Sequence, residues 1–571
     1  MTNAVSRLKR PRRTLNRIAL ALLAIGLAAI AQSSLRQGGV WDGLILFVVA
    51  AILFVWAVGR TSTTTLPRLV PYRGLFSVVR IRPGPLGWTG AFLIGIAALI
   101  SYVGQQLFFE VDTWSQAWFY YATSVVLLIV GTLLLHRPSR TRLHVSASSF
   151  SFSRETIGFL VIFAVAIVLR LWRFDSLPFG VWFDEALAGL QARRWLEEAS
   201  YKPAFYDPIN ISGQFLILYA TALNYVSDTV HGIRFVSVLF GLGGVWMAYL
   251  FGKTIQGPFF GLLMAFFMAV MRWHINFSRI AMTGVDAPFF ELMSLYFLAR
   301  LFRHGHIRDA IFAGMALSLG LSFYTAFRLF VLALGVFFIL AILIWRHWWG
   351  RARSLDWWSN QIVRSVVLTL ALVIVLMPIM QYARRNPDSF SNRIETTSIF
   401  NRRDDPNLQR ALRNSLLKHV GMLHYQGDKN GRHNLPGEPM LDPGMGILLV
   451  LGLGLGIHNL LSRHRRPANL FFLLLIPASF VGGVFSLDFE APQSLRSISI
   501  LPALAYFCAL PVASLYREAR QAIQPLSPNI LWWPAGAAAF YVLGFNAYTY
   551  FVRQADDFAV WNAYSTAETV T

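Results

Sequence analysis

Asp184 and Glu185 stand side by side in WFDEA (182–186), after a turn-rich stretch with Pro178 and Gly180 that follows an apolar run ending at Arg170. A carboxylate so placed can take a proton from an incoming hydroxyl or amine. Further on, HINFSRIAMTGVD (274–286) carries His274, Asn276, Ser278, Arg279 and Asp286, and SFYTAFR (322–328) carries Tyr324 and Arg328. HNLPGE occupies 433–438, and DFEAPQSLRS (488–497) supplies Glu490, Gln493 and Arg496. Arginines of this kind hold a phosphate or diphosphate, because their forked donors match its oxygens.

The competing readings are plainer. Asp favours the N-cap of a helix, and Glu in the first turn is favoured by the helix dipole. Arg279 could pair with Asp286 across its loop, structurally or catalytically. Arg234, Arg328 and Arg496 each begin an apolar run, where a lipid-headgroup contact or a buried ion pair would also account for them.

The elements that must position these residues are membrane spans. Of 571 residues, 56% are hydrophobic and 14% charged, against about 25% charged in an ordinary soluble domain. Mean hydropathy is +0.51. The net charge of +22 falls in short clusters between apolar runs, the signature of inside-positive loops and anionic lipid rather than of nucleic acid. The single cysteine, Cys508, excludes an intramolecular disulfide. The basic start RLKRPRR precedes an apolar run too long for a typical signal peptide, which predicts an uncleaved first span with a cytoplasmic N-terminus.

Spans are expected near 17–33, 42–59, 86–107, 117–135 and 157–171, then 233–252, 258–272, 286–301, 309–324, 328–345, 362–379, 444–461, 469–485, 498–515 and 531–550. The segment 211–227 decides the topology. If it crossed, Lys253, RHGHIR (303–308), RHWWGRAR (346–353), RHRRP (463–467) and REAR (517–520) would all lie outside. If it lies in the interface or re-enters, all of them lie inside and the acid pair lies outside, which the positive-inside rule favours. Residues 184–198 read as a first interfacial helix of the same loop. The fold class is therefore an all-α polytopic bundle of about 15 membrane helices with outer-face interfacial helices and a large outer loop. An N-terminal four-span extension with a cytoplasmic link covers 1–156, and 139–155 could form a small hairpin there. The core covers 157–515 with outer loops at 172–232, 273–285, 380–443 and 486–497, and a final span and short outer tail cover 516–571.

The order and spacing of these motifs resemble the GT-C superfamily of membrane glycosyltransferases, in the branch with protein O-mannosyltransferases and the lipid A aminoarabinose transferase. WFDEA matches that branch's first-loop Asp-Glu, RFVSVLFGLGGVWMAYLFGK (234–253) continues the match, and HINFSRIAMTGVDAPFFE (274–291) resembles its second-loop pattern. The resemblance implies an inverting transferase of a polyprenyl-phosphate-linked hexose or pentose to a lipid, glycan or protein acceptor. The active site would face outward from a bacterial-type cytoplasmic membrane. It also implies Asp184 as catalytic carboxylate with Glu185 its neighbour, and Asp286 as a second acid near acceptor or metal. Arg279, Arg328 and Arg496 would contact donor phosphate, with Trp182 as a sugar contact. A divalent cation is left open; His274 and Asp286 are the residues that could ligate one. Four spans precede the family's usual first helix, and NISGQF (210–215) replaces its Lys/His-Pro-Pro stretch. A transporter of lipid-linked sugar would instead show charged or helix-breaking residues at mid-membrane. A non-catalytic assembly protein would make the acid pair dispensable.

Overall fold

The structure is a computed structural model and describes residues 2–64, 85–135, 153–344, 355–462, 467–522 and 528–564. Two hairpins open the chain: α1 (Thr2–Arg36) with α2 (Val40–Thr64), and α3 (Pro85–Leu107) with α4 (Trp114–Leu135). They are followed by α5 (Arg154–Leu171) and α6 (Phe183–Glu197), then a small hairpin of β1 (Phe205–Tyr206) and β2 (Ile211–Ser212). Next come α7 (Gly213–Tyr225), α8 (Val230–Gln256), α9 (Pro258–Val270), α10 (Arg272–Phe277), α11 (Asp286–His304), α12 (Ile307–Phe323) and α13 (Phe327–Ile344). The rest is α14 (Leu355–Arg385), α15 (Pro387–Thr396), α16 (Leu408–Gly421), α17 (Pro443–Leu461), α18 (Pro467–Val484), α19 (Leu501–Ala522), α20 (Trp532–Tyr548) and α21 (Phe558–Tyr564).

Every expected span lies on a helix, and 10 helices among the described residues are long and apolar enough to cross a membrane. The expected spans that fall outside this set do so for two physical reasons. The helices α9, α12 and α20 are short, with 13, 17 and 17 residues. The helices α5 and α11 carry several charges each, among them Arg170 and Glu291. At about 1.5 Å per residue, α9 rises only about 20 Å, so that path runs on through Met271 into α10. The disputed segment 211–227 forms α7, whose 13 residues are likewise too short for a hydrocarbon core about 30 Å thick. NISGQF becomes the end of the hairpin turn at Asn210, the strand β2 and the start of α7. Asn210 adopts a left-handed conformation at φ 55°, one that Asn tolerates, and Ser212 caps α7 by accepting the Phe215 N–H at 3.3 Å.

Among the described residues, Lys253, RHGHIR and REAR lie toward the end of the bundle away from the acid pair. On α8, Arg234 binds Glu185, whereas Lys253 pairs with Glu155 at the start of α5; the two positions are about 28 Å apart along the helix. Arg300 pairs with Asp309, Arg303 donates to the Thr254 carbonyl, and Arg17 reaches Glu518 at 3.3 Å. RHWWGRAR, most of RHRRP, the link from 65 to 84 and most of the hairpin expected at 139–155 lie outside the described residues.

The N-terminal hairpins pack on the core rather than beside it. Ala21, Ala28, Phe47 and Phe54 of α1 and α2 share an apolar cluster with Leu451 and Leu455 of α17. Ile94 and Leu128 of α3 and α4 pack with Ile311, Ala371 and Ile374. The second hairpin also holds the first large loop: Trp118 Nε1 donates to the Lys202 carbonyl at 2.9 Å, and Gln214 Nε2 donates to Tyr121 Oη at 2.6 Å. In the core, α17 and α19 approach so closely that a Cβ on Gly452 would sit 1.9 Å from the Phe507 carbonyl oxygen. Backbone cannot yield as a side chain does. Gly452→Ala should therefore lower the thermal unfolding midpoint in detergent, by the equivalent of about 1–3 kcal/mol of overpacking strain.

Candidate active site

Trp182 is extended, at φ −80° and ψ 152°, and α6 begins after it. Glu185 sits three residues on and accepts the Trp182 N–H at 3.2 Å, which satisfies one of the donors a helix start leaves open. Glu185 is fully buried. Arg234 Nε donates to its Oε1 at 2.8 Å, Arg234 Nη2 to its Oε2 at 2.8 Å, and the Ala281 N–H to Oε1 at 2.7 Å. Arg234 also donates to the carbonyls of Pro178 (3.1 Å) and Gly180 (2.6 Å). Glu185 is thus the knot that ties the first loop, α8 and the second loop together. Both its oxygens are occupied.

Asp184 is its opposite. The side chain is half-buried, and among the described residues no group hydrogen-bonds its carboxylate. In its electrostatic neighbourhood the central carbon of the Arg432 guanidinium stands over the Trp182 ring, 3.3 Å from the centroid, a cation–π contact. Burial pulls the Arg432 guanidinium below its usual range, while the charges of Asp184, Glu490 and Asp428 act against that. Arg432 Nε and Nη1 are buried and have no hydrogen-bond partner among the described residues. The site therefore offers an unoccupied acceptor, unoccupied donors and an indole edge within one constellation.

The segment carrying Arg432 is held by Asp428. Its Oδ2 accepts from His433 Nδ1 (3.0 Å), Ser494 N–H (2.8 Å) and Ser494 Oγ (2.7 Å), and its Oδ1 from the Asn430 N–H (2.9 Å). Burial alone would raise this carboxyl, but His433 and the backbone donors outweigh it and hold Asp428 below its ordinary 3.8. A depressed folded-state value means the unfolded chain binds the proton more readily. The stabilisation is present above about pH 4 and is lost as the pH falls through the folded value. Thermal midpoints measured from pH 7 to 3 should fall on the acid side in the wild type and more shallowly in Asp428→Asn.

Of the arginines expected at phosphate, Arg496 pairs with Glu490 at 3.1 Å and its N–H donates to Gln493 Oε1 at 3.2 Å, which places it in the same electrostatic neighbourhood as Arg432. Arg328 lies half-buried over the Phe390 ring at 4.7 Å, with no carboxylate partner among the described residues. Next to it Asn210 donates to Thr325 Oγ1 at 2.5 Å, joining the first loop to the start of α13. Tyr324 Oη donates to the Leu495 carbonyl at 2.9 Å.

Two expectations are corrected. Arg279 does not face a phosphate site. It is fully buried and donates to the carbonyls of Leu169, Trp172, Arg173 and Leu177, among the rings of Phe174, Tyr550 and Phe551. It answers the negative end of α5, where carbonyls lack helical partners, and forms no ion pair with Asp286. His274 and Asp286 do not make a cation site either. Arg170 Nη2 lies 2.8 Å from His274 Nδ1, and a guanidinium there repels a cation. Asp286 is buried, with Oδ1 accepting the Gly284 N–H at 2.6 Å, and this orders the turn in which Gly284 packs against Leu495. Among the described residues no group of three His, Cys, Asp or Glu is arranged to hold a metal.

Arg432, Asp428 and Ser494 were not singled out from sequence. The signals near them were the polar stretch HNLPGE, which begins one residue after Arg432, and DFEAPQSLRS, which contains Ser494.

Residues 160–382 match the family model described as dolichyl-phosphate-mannose-protein mannosyltransferase. That stretch includes Asp184, Glu185, Arg234, Asp286 and Arg328 and ends before Arg432. Similar solved structures include the archaeal oligosaccharyltransferase AglB from Archaeoglobus fulgidus, in complex with an inhibitory peptide and a dolichol-phosphate. It is 13% identical with a TM-score of 0.43, over 69% of this chain and 55% of that one. ArnT from Cupriavidus metallidurans in the apo state is 13% identical with a TM-score of 0.42, over 62% of this chain and 60% of that one. The same protein bound to undecaprenyl phosphate is 15% identical with a TM-score of 0.40, over 65% and 62%. The chain thus spans between half and two thirds of the length of these structures. No curated protein matches it in sequence.

Proposed function

We propose that this protein is an inverting glycosyltransferase. It moves a sugar from a polyprenyl-phosphate donor to a lipid, glycan or protein acceptor at the outer face of a cytoplasmic membrane. The observation that carries the reading is the Asp184 carboxylate, which nothing among the described residues hydrogen-bonds, within the electrostatic reach of Arg432. The Arg432 guanidinium stands over Trp182 with donors that have no partner among the described residues. The family match over 160–382 supports it.

The acceptor oxygen attacks the anomeric carbon from the face opposite the phosphate. The bond from that carbon to the phosphate oxygen breaks, and its electron pair leaves with the polyprenyl phosphate. The acceptor proton passes to Asp184. Configuration inverts because one displacement occurs. Negative charge grows on the phosphate as it leaves, and Arg432 supplies fixed donors for it, with Arg496 and Arg328 as further cations of the donor path. Trp182 offers its ring to the sugar. Glu185 and Asp286 shape the loops and move no proton.

A panel of polyprenyl-phosphate sugars presented at the outer face tests the reading, with the anomeric configuration of the product read by NMR. Retention of configuration, or no transfer from any donor of this class, would sink it. A reporter placed at 228–232 should lie outside; a cytoplasmic location would overturn the topology. Arg432→Ala should raise the KM for donor about 10- to 100-fold, the worth of a hydrogen bond to a charged group, and Arg432→Lys should recover part of it. An unchanged KM would remove Arg432 from the donor site.

A further inference from the structure

We propose that α1 is a positioning element of the transfer site. Gln32 and Arg36 hold the segment 422–442, and through it Arg432, against Trp182 and Asp184. This rests on the glycosyl-transfer reading above.

The last turns of α1 send two side chains to a segment 392 residues further along the chain. Gln32 is buried, which costs free energy for an amide unless both its ends are bonded. Both are: Nε2 donates to the His424 carbonyl at 3.0 Å, and Oε1 lies 2.9 Å from His424 Nδ1. The His424 ring also packs edge-on to Phe47 of α2, with centroids 5.3 Å apart. Gly446 of α17 leaves the space for this amide, since a Cβ there would come within 2.6 Å of Gln32 Oε1 and 3.1 Å of His424 Nδ1. Arg36 forms the second clamp. It donates to Glu438 Oε1 at 3.0 Å and to the Leu441 carbonyl at 3.2 Å, while Arg553 holds the other Glu438 oxygen at 2.9 Å.

The clamps at 424 and at 438–441 flank Arg432, and the chain between them is cross-braced. Asn434 Nδ2 donates to the carbonyls of Asp428 (3.1 Å) and Glu438 (2.6 Å), and Asn430 Oδ1 accepts the Arg432 N–H at 3.0 Å. Arg272 donates to Asn434 Oδ1 and to the Pro439 carbonyl. With its flanks released the segment opens more often on the bundle, and Arg432 shifts with it. Neither Gln32 nor Arg36 touches the Asp184 constellation, so each can act on it only through this segment.

The test uses the full chain in nanodiscs, comparing wild type, Gln32→Ala/Arg36→Ala and Arg36→Lys by hydrogen exchange and donor kinetics. The double variant should exchange faster across 422–442 while α8 and α14 keep wild-type protection. Its kcat/KM for donor should fall, by up to about 10²-fold for a misplaced site group, mostly through KM. Arg36→Lys, which keeps the charge toward Glu438, should recover part of the loss. Wild-type exchange across 422–442, or wild-type kcat/KM in the double variant of an active enzyme, overturns the inference. So does faster exchange throughout the bundle with unchanged activity per folded molecule, since that marks general stabilisation. If the wild type transfers no sugar from any donor, the functional reading fails, while exchange still decides whether α1 fixes the segment.

Discussion

Replacing Asp184 by Asn should lower kcat about 10²–10⁴-fold, the usual worth of a positioned general base, while the protein inserts, folds and binds donor as before. Asn keeps the shape of the side chain and removes its capacity to take a proton. Little else changes, because nothing among the described residues hydrogen-bonds this carboxylate, and it is half-buried rather than enclosed. Its place in the first turn of α6 is worth about 0.3–1 kcal/mol of dipole interaction, too little to unfold a bundle. The readouts are single-turnover transfer, donor binding and the thermal midpoint. Normal transfer in the variant would remove Asp184 from the mechanism. Lost donor binding would instead make it part of the binding site.

The parts of this molecule that were legible in its sequence are those fixed by hydrophobic free energy along the chain. Apolar runs gave the helices, and the distribution of Lys253, RHGHIR and REAR separated 211–227 from the spans, a segment that folds as the short helix α7. The Asp-Glu pair was legible as chemistry, but its division of labour was not. Glu185 is bound by Arg234, 49 positions away, and by the Ala281 N–H, 96 positions away, and no local pattern encodes either contact. Arg279 shows the same limit from the other side. An arginine outside a span can satisfy the open carbonyls of a helix end as well as a phosphate, and its sequence neighbours do not say which. Arg432 was passed over because its neighbours look like an ordinary polar loop. Its importance comes from Trp182, which lies 250 positions earlier in the chain.

The Glu185–Arg234 pair should carry the largest stability effect of any single contact described above. Glu185→Ala leaves a guanidinium that is 2% exposed without its counter-charge, and breaking a buried pair from one side costs about 3–5 kcal/mol. It also strips the Trp182 and Ala281 N–H groups of their acceptor. Glu185→Gln should fall between, since it keeps an acceptor but not the charge. Replacing both partners by apolar residues is often close to neutral in other proteins, but not here. Arg234 also serves the carbonyls of Pro178 and Gly180, so a Glu185→Leu/Arg234→Met double variant should regain only part of the loss. Thermal midpoints of the two single variants and the double variant give the coupling by a double-mutant cycle; additive losses would show that the pair is not the knot described. The same variants settle how the acid pair divides its work. If Glu185 is structural, its variants lose activity in proportion to the folded fraction, and each folded molecule keeps its kcat. If Glu185→Gln instead folds normally and loses kcat, the proton passes to Glu185, and Asp184 is the supporting acid.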